Sequence, residues 1–329
     1  MTLRLSLIDF ATIHPDQPVG EAFADSVRLA QRAESTGRFE RIWYAEHHNM
    51  PNIASSATSV LIAHVASQTS NIRLGAGGIM LPNHSPLVIA EQFGTLEALY
   101  PGRIDLGLGR APGTDQTTWR ALRRDPRASD RFPDDVRELQ GFLAGESLIP
   151  GVEAVPGKGT NVPLYILGSS LFGAQLAAAL GLPYSFASHF APDALEVAVA
   201  TYRREFRPSE QQSEPYVIAA VNAVTAATSE EAQHIHDVVL RRRVVNLVSR
   251  NPQVRGREFT DDEVEVLLDS PVGRQARGMM RYVAVGNPGE VAAYLERFRE
   301  LADADELMIA PHGTTVDETL TNIGLLGTL

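Results

Sequence analysis

One rhythm constrains this chain more than any other feature. A short run rich in Val, Ile and Leu is followed by a longer segment whose apolar residues recur at helical spacing, and the pattern repeats. Leu3–Asp9 is the first run, and Phe23, Val27, Ala30 and Ala33 form the inner stripe of a helix that Gly37 stops. Arg41–Ala45 is the second, with a helix that Ser55 or Ser56 can cap and that runs to Gln68. Ile72–Gly77 is the third. Pro86 suits the first turn of the next helix, where Ile89, Phe93, Leu96 and Leu99 keep the spacing. Pro101-Gly102 then turns the chain into the fourth run, Ile104–Gly109.

The second half keeps time with longer interruptions. Leu164–Leu167 is followed by a helix ending at Gly181, Tyr184–Ala187 by the helix Ala191–Phe206, and Tyr216–Thr225 by a helix with Ser229 as N-cap. Asn287-Pro288 opens the last major helix, with Val291, Leu295 and Phe298 inward, and Glu306–Ile309 is the eighth run. Strands alternating with helices predict an α/β protein with a parallel sheet. A count of eight without an opening dinucleotide fingerprint favours a closed (β/α)8 TIM barrel. Ala111–Pro163 and Arg250–Tyr282 exceed the repeat and read as insertions after strands four and seven, on the face where such barrels carry their sites. For Asn251–Thr260 a plain surface loop is an equally good reading. No linker or composition break divides residues 1–329, so one domain is expected.

Composition narrows function. With 44% hydrophobic and 21% charged residues the chain can build a substantial core. A formal charge of −11 opposes binding to nucleic acid or anionic lipid. The chain has no cysteine, which removes disulfides, thiolate metal sites and cysteine nucleophiles, and suits a cytoplasmic protein. The N-terminus carries no signal-peptide pattern, and no apolar stretch approaches the roughly 18 residues of a membrane span.

Polar residues gather at the C-terminal ends of the strands, which a barrel brings to one mouth. They are Glu46-His47-His48 after strand two, Gly75-Ala76-Gly77-Gly78 after strand three, Gly109-Arg110 after strand four, Gly168-Ser169-Ser170 after strand five, and Ser188-His189 after strand six. Free N–H groups at a helix start with hydroxyls beside them bind phosphate, although an ordinary serine N-cap is the plainer reading of Gly168-Ser169-Ser170. Arg110 at the same mouth suits phosphate or a structural ion pair. Gly77-Gly78 allows a flat ligand to approach the backbone, or simply makes a tight turn. Gly107-x-Gly109-x-x-x-Gly113 has the wrong spacing for a dinucleotide loop, and Pro112 interrupts it. His47 and His48 are adjacent, so in extended chain one faces the cavity and the other the wall. His234-x-His236 falls in a predicted helix where the two rings diverge, so no metal site is expected, and His64, His234 and His236 read as structural. Ile79-Met80-Leu81 reads as an apolar lip that would favour an apolar substrate.

Several of these motifs in order resemble the bacterial luciferase-like monooxygenases. They are Ala45-Glu46-His47-His48-Asn49, the run from Leu74 to Pro82, the run from Tyr100 to Arg110, Leu167-Gly168-Ser169-Ser170 and Gly181-Leu182-Pro183. The resemblance extends less strongly from Asn287-Pro288-Gly289 through strand eight. It is strongest to the single-chain, uncharacterised members. It implies a dimeric barrel that binds reduced FMN, or F420 in other branches, at its mouth. It also implies a catalytic role for His47 and phosphate contacts from Arg110, Ser169 and Ser170. The family's non-prolyl cis peptide falls at Gly77-Gly78, in a bulge beneath the flavin ring. Two departures stand out. Gly109 replaces the luciferase cysteine beside the phosphate arginine, and Ser169 replaces an acidic residue.

The expected activity is therefore FMN-dependent monooxygenation of an apolar organic molecule such as an aldehyde, with reduced FMN supplied by a separate reductase. His47 is the expected acid–base residue and Glu46 its orienter. Ala76, Gly77, Gly78, Arg110, Gly168, Ser169, Ser170 and His189 are the expected cofactor contacts. An F420-dependent oxidoreductase, a flavin-binding protein without turnover and a metal-dependent barrel hydrolase are the rivals. The helices near Ser56–Gln68 and Pro86–Leu99 carry apolar residues on more than one face, so a homodimer is expected through them.

Overall fold

The computed structural model describes residues 3–111, 113–125, 127–251, 253–254 and 256–329. Pro112 and two residues of the 251–260 loop therefore lie outside the described residues. The strands are β1 (Arg4–Asp9), β2 (Phe39–Tyr44), β3 (Arg73–Met80), β4 (Ile104–Gly109), β5 (Leu164–Gly168), β6 (Tyr184–Phe186), β7 (Val217–Thr225), β8 (Val283–Gly286) and β9 (Glu306–Pro311). All pair in parallel, in the order β6-β5-β4-β3-β2-β1-β9-β7-β8. Tyr184–Phe186 against Val217–Ala219 closes the ring. Eight strands, β1 to β7 with β9, thus form the expected (β/α)8 barrel.

β8 was not foreseen. Its four residues pair with Asn222–Thr225 of β7, where the three-residue β6 no longer reaches. The insertion after β4 also hides a barrel helix, Phe132–Ala144, which buries Phe132, Val136, Leu139, Phe142 and Leu143. Residues 250–282 carry two further helices, Asp261–Asp269 and Pro271–Met279. Two caps moved. The helix Thr58–Ala66 is preceded by Ala57 rather than by Ser55 or Ser56. Thr228, not Ser229, caps the helix Ser229–Val248 by accepting from Glu231 N–H. Among the described residues no helix is long and apolar enough to cross a membrane.

The barrel interior is filled in layers, because alternate residues of each strand point inward. At the N-terminal end Arg41 lies among carboxylates. Its Nη1 is 2.9 Å from Asp105 Oδ2 and its Nε 3.0 Å from Glu306 Oε1, and Ser6, Arg73, Tyr165 and Tyr216 complete the cluster. Burial opposes the Arg41 charge, but Asp105 and Glu306 overcome this and raise its pKa. Above this layer come Ile8, Trp43, Tyr165, Ile218, Ala220, Met308 and Ala310. The larger core lies outside the sheet, beneath the helices. β3 and β4 pass unusually close: a Cβ on Gly78 would sit 2.6 Å from Gly107 O, and one on Gly107 2.3 Å from Ala76 O. Glycine is required at both positions.

Candidate active site

The same alternation sets the top layer. Ser6, Ile8 and Phe10 share one parity along β1, and Arg41, Trp43, Ala45 and His47 share one along β2. Phe10 and His47 therefore stand above the apolar layer, with ring centroids 6.1 Å apart and planes 21° from parallel. His189, after β6, lies 6.1 Å from Phe10 on its other side. His47 Nδ1 is 3.4 Å from Gly113 O. Burial lowers the His47 pKa, with Arg250 and His48 acting in the same direction.

Glu46 and His48 have the opposite parity and face away from His47. The expected Glu46–His47 pair is not formed. Glu46 is 1% exposed, and its carboxylate accepts from Met80 N–H at 3.0 Å, Asn83 Nδ2 at 3.1 Å and His48 Nε2 at 3.0 Å. His84 Nε2 also lies within hydrogen-bond distance. Burial alone would raise the Glu46 pKa, but these hydrogen bonds, His48 and His84 foremost, hold it at about 2. Asn83 Oδ1 in turn accepts from Trp119 Nε1 at 2.9 Å, so the carboxylate ties the ends of β2 and β3 to the insertion after β4. His84 and Asn83 were missed because neither belongs to a strand end that the repeat predicts.

Across the mouth Arg110 is exposed and its guanidinium lies 4.2 Å from the Phe172 ring centroid. Among the described residues it forms no ion pair. Phe172 is in the first turn of the helix Leu171–Leu180, so this stacking brings Arg110 beside Gly168, Ser169 and Ser170. Ser170 occupies the N-cap position, yet its side chain makes no capping bond. A free hydroxyl, free first-turn N–H groups and an uncommitted guanidinium are a donor set suited to phosphate. The Gly77–Gly78 bond is cis, as the resemblance implied, and the pairing of β3 with β4 shifts register between Ala76 and Ile79. The apolar lip is corrected: Ile79 and Leu81 are buried in the main core, and only Met80 is partly open. Exposed apolar surface is found instead on Phe172, after β5, and Phe190, after β6, with Phe10, after β1, partly open.

On the β7–β9 side, His312 Nε2 donates to Asn222 Oδ1 at 2.8 Å, and Asn222 Nδ2 donates to His189 O at 2.8 Å. That direction follows from the amide, whose nitrogen is committed to carbonyls. Burial, with the charge of Arg243, lowers both His189 and His312 to about 3, so both rings are neutral.

The sequence profile of the family described as luciferase-like monooxygenase matches residues 3–305. The chain belongs to the luciferase-like monooxygenase family. A protein named luciferase-like monooxygenase from Escherichia coli K12 is 45% identical over 309 residues, covering 94% of this chain and 91% of that one. The N-acetyl-S-alkylcysteine monooxygenase of Bacillus subtilis is 37% identical over 97% of this chain and 96% of its own. The crystal structure of apo-MsnO8 matches with a TM-score of 0.86 at 33% identity, over 99% of this chain and 97% of that one. More distant structures share the luciferase-like fold. The oxygenating constituent of 3,6-diketocamphane monooxygenase in complex with FMN has a TM-score of 0.74 at 16% identity, over 99% of this chain and 97% of that one. An F420-dependent secondary alcohol dehydrogenase has 0.70 at 15%, over 98% of each chain. Membership makes this chain an oxidoreductase of the monooxygenase type, and the mouth just described is where such a barrel works.

Proposed function

We propose that this enzyme oxygenates an apolar organic molecule, such as an aldehyde, with reduced FMN and dioxygen, the FMN being reduced by a separate enzyme. The observation that carries the choice of FMN is the unpaired Arg110 held on Phe172 beside the uncommitted hydroxyl of Ser170. Arg110, Ser169, Ser170 and the first-turn N–H groups would hold the phosphate, and Ala76, Gly77 and Gly78 would adjoin the flat ring. When bound, reduced FMN supplies the electrons that activate dioxygen, one atom passing to the substrate and the other leaving as water. His47 stands where a proton can be given or taken above the apolar layer, and the buried floor beneath it excludes water. Glu46 keeps β2 and β3 in register without titrating near neutrality. Phe10, Phe172 and Phe190 receive the apolar substrate.

Titration with FMN, anaerobically reduced FMN and F420 tests the reading. Reduced FMN binds most tightly, and Arg110→Ala weakens it by about tenfold or more, the loss of a charge-assisted contact. A preference for F420 over both forms of FMN overturns it. We infer also that two chains pair through the helices Thr58–Ala66 and Pro86–Leu99, since Val60 is 68% and Val88 43% exposed there. Sedimentation that shows only monomer at micromolar concentration overturns the dimer.

A further inference from the structure

The helix Ser229–Val248 runs from the ends of β7 and β8 to the chain just beyond β9. Ala232, Ile235 and Val239 pack with Val224 of β7 and Val283 and Val285 of β8. One turn further on, Arg242 Nη1 donates to Thr314 O at 2.7 Å, just beyond β9. Arg250, past the helix end, acts electrostatically on His47 after β2. His236 and Arg243 are seven residues apart, about two helical turns, and so share a face, and Arg250 follows just past the helix end. Arg243 lies one turn after Val239, which packs against the ends of β7 and β8, and beside Arg242, which reaches Thr314 two residues after His312, so the half-buried Arg243 belongs to the inward side of the helix near His312. Its charge acts on His189, His312 and His236 accordingly.

Their neighbours on the helix are committed. Arg241 pairs with Glu265 and Arg242 holds Thr314. Among the described residues, the half-buried Arg243 and the exposed Arg250 form no ion pair and donate no side-chain hydrogen bond. Facing them is a neutral wall. His312 is engaged with Asn222, and His189, only 6% exposed, buries an Nδ1 with no hydrogen-bond partner. The ring with the orphaned nitrogen lies between Phe10 and Phe190, at 6.1 and 5.0 Å between centroids, and Asn222 links that residue's carbonyl to His312 on the side of the unpaired Arg243. A partly desolvated cation without a counter-ion is costly unless something arrives to pair with it. β4 and β9 lie opposite one another in a ring of eight, so this is not the Arg110 side.

We propose that Arg243, with Arg250 at the rim and His189 beneath, binds the carboxylate of the substrate, whose apolar remainder lies against Phe10 and Phe190. The word substrate rests on the flavin reading above; the anion site itself does not. A molecule with an apolar body and one carboxylate end is the class this surface fits. Arg243 sets specificity and end-on orientation, placing the apolar body near His47.

Calorimetric titration with octanoate and with octanamide, a neutral analogue of the same shape, tests this on the full chain with and without FMN. Wild type binds octanoate at least about tenfold more tightly than octanamide, the usual worth of a charge-assisted hydrogen bond. Arg243→Met removes that preference, Arg243→Lys keeps part of it, and neither changes FMN affinity. Equal binding of acid and amide by wild type, or no binding of either, overturns the proposal without recourse to a variant. Octanoate affinity unchanged in Arg243→Met also overturns it. So does inorganic phosphate binding as tightly as octanoate, or Arg243→Met weakening FMN as Arg110→Ala does, since either would make this a bare phosphate site. Failure of FMN to bind at all would leave the octanoate preference standing and count only against the flavin reading.

Discussion

His84 Nε2 stands 2.9 Å from each carboxylate oxygen of Glu46, joining the chain that follows β3 to the chain that follows β2. The neighbouring His47 takes no part and turns to Gly113 O. The pair that orders the site is therefore one residue away, in sequence, from the ring we assign to proton transfer.

The Glu46 carboxyl has an ordinary pKa of 4.5 and is held at about 2 in the folded protein. A depressed folded pKa contributes stability above the unfolded value, and that contribution is lost as pH falls from 4.5 towards 2. The shift corresponds to about 3 kcal/mol. Glu46→Gln should thus cost most at pH 7, and the gap to wild type should narrow between pH 4.5 and 2. Urea unfolding at pH 7, 4 and 3 measures this, and a gap independent of pH would refute it.

His47→Ala should lower turnover by about 10²- to 10⁴-fold, the usual range for a lost acid–base group, while FMN affinity stays within about twofold. Burial lowers the ring's pKa from 6.5, so activity that depends on neutral His47 should decline only below that pH. Paired measurements of kcat against pH and of FMN binding decide the matter. Unchanged turnover would make His47 a packing residue.

Two N-caps should behave differently. Thr228 accepts from Glu231 N–H, and Thr228→Ala should cost about 1 kcal/mol. Ser170 makes no such bond, so Ser170→Ala should leave stability within about 0.5 kcal/mol and weaken FMN. Thermal unfolding and FMN titration of both variants separate a structural serine from a binding one.

At the other end of the barrel, Arg41→Met leaves Asp105 paired with Arg73 but strips the fully buried Glu306 of its counter-ion. Removing one partner of such a buried pair typically costs about 3–5 kcal/mol, because the charge left behind is uncompensated. Urea unfolding that shows a loss under about 1 kcal/mol would mean that the cluster reorganises without its arginine.

The repeat was legible wherever a strand was long enough to have a pattern and a turn to end it. β4 runs from Ile104 to Gly109 as read, with Pro101-Gly102 before it. β8 was not legible because four residues carry no periodicity. The signal lay elsewhere: a nine-residue β7 beside a short β6 leaves an edge to be filled. Phe132, Val136, Leu139 and Leu143 had helical spacing, but Pro, Gly and charge around them resembled loop. In the site, Arg110 and Ser170 come together at the mouth because strand ends share an address. Adjacency in sequence suggests a Glu46–His47 contact, but extended chain sends neighbours to opposite sides, and Glu46 meets His48 and His84 instead. Arg243 reads as one more residue of a solvated helix face until the helix is seen to pack on β7 and β8 and reach Thr314.

The layered interior governs traffic. Arg41 and its carboxylates close one end, Trp43, Tyr165 and Met308 block the middle, and the helix bearing Arg243 reaches the chain beyond β9 at the other end. Two ligands sharing this barrel must come and go by one doorway, on the same side of those layers. Whichever lies deeper must arrive first and depart last. Wherever one of the two proposed ligands overlies the other, binding and release must be ordered, and a slow outer ligand will hold the inner one captive.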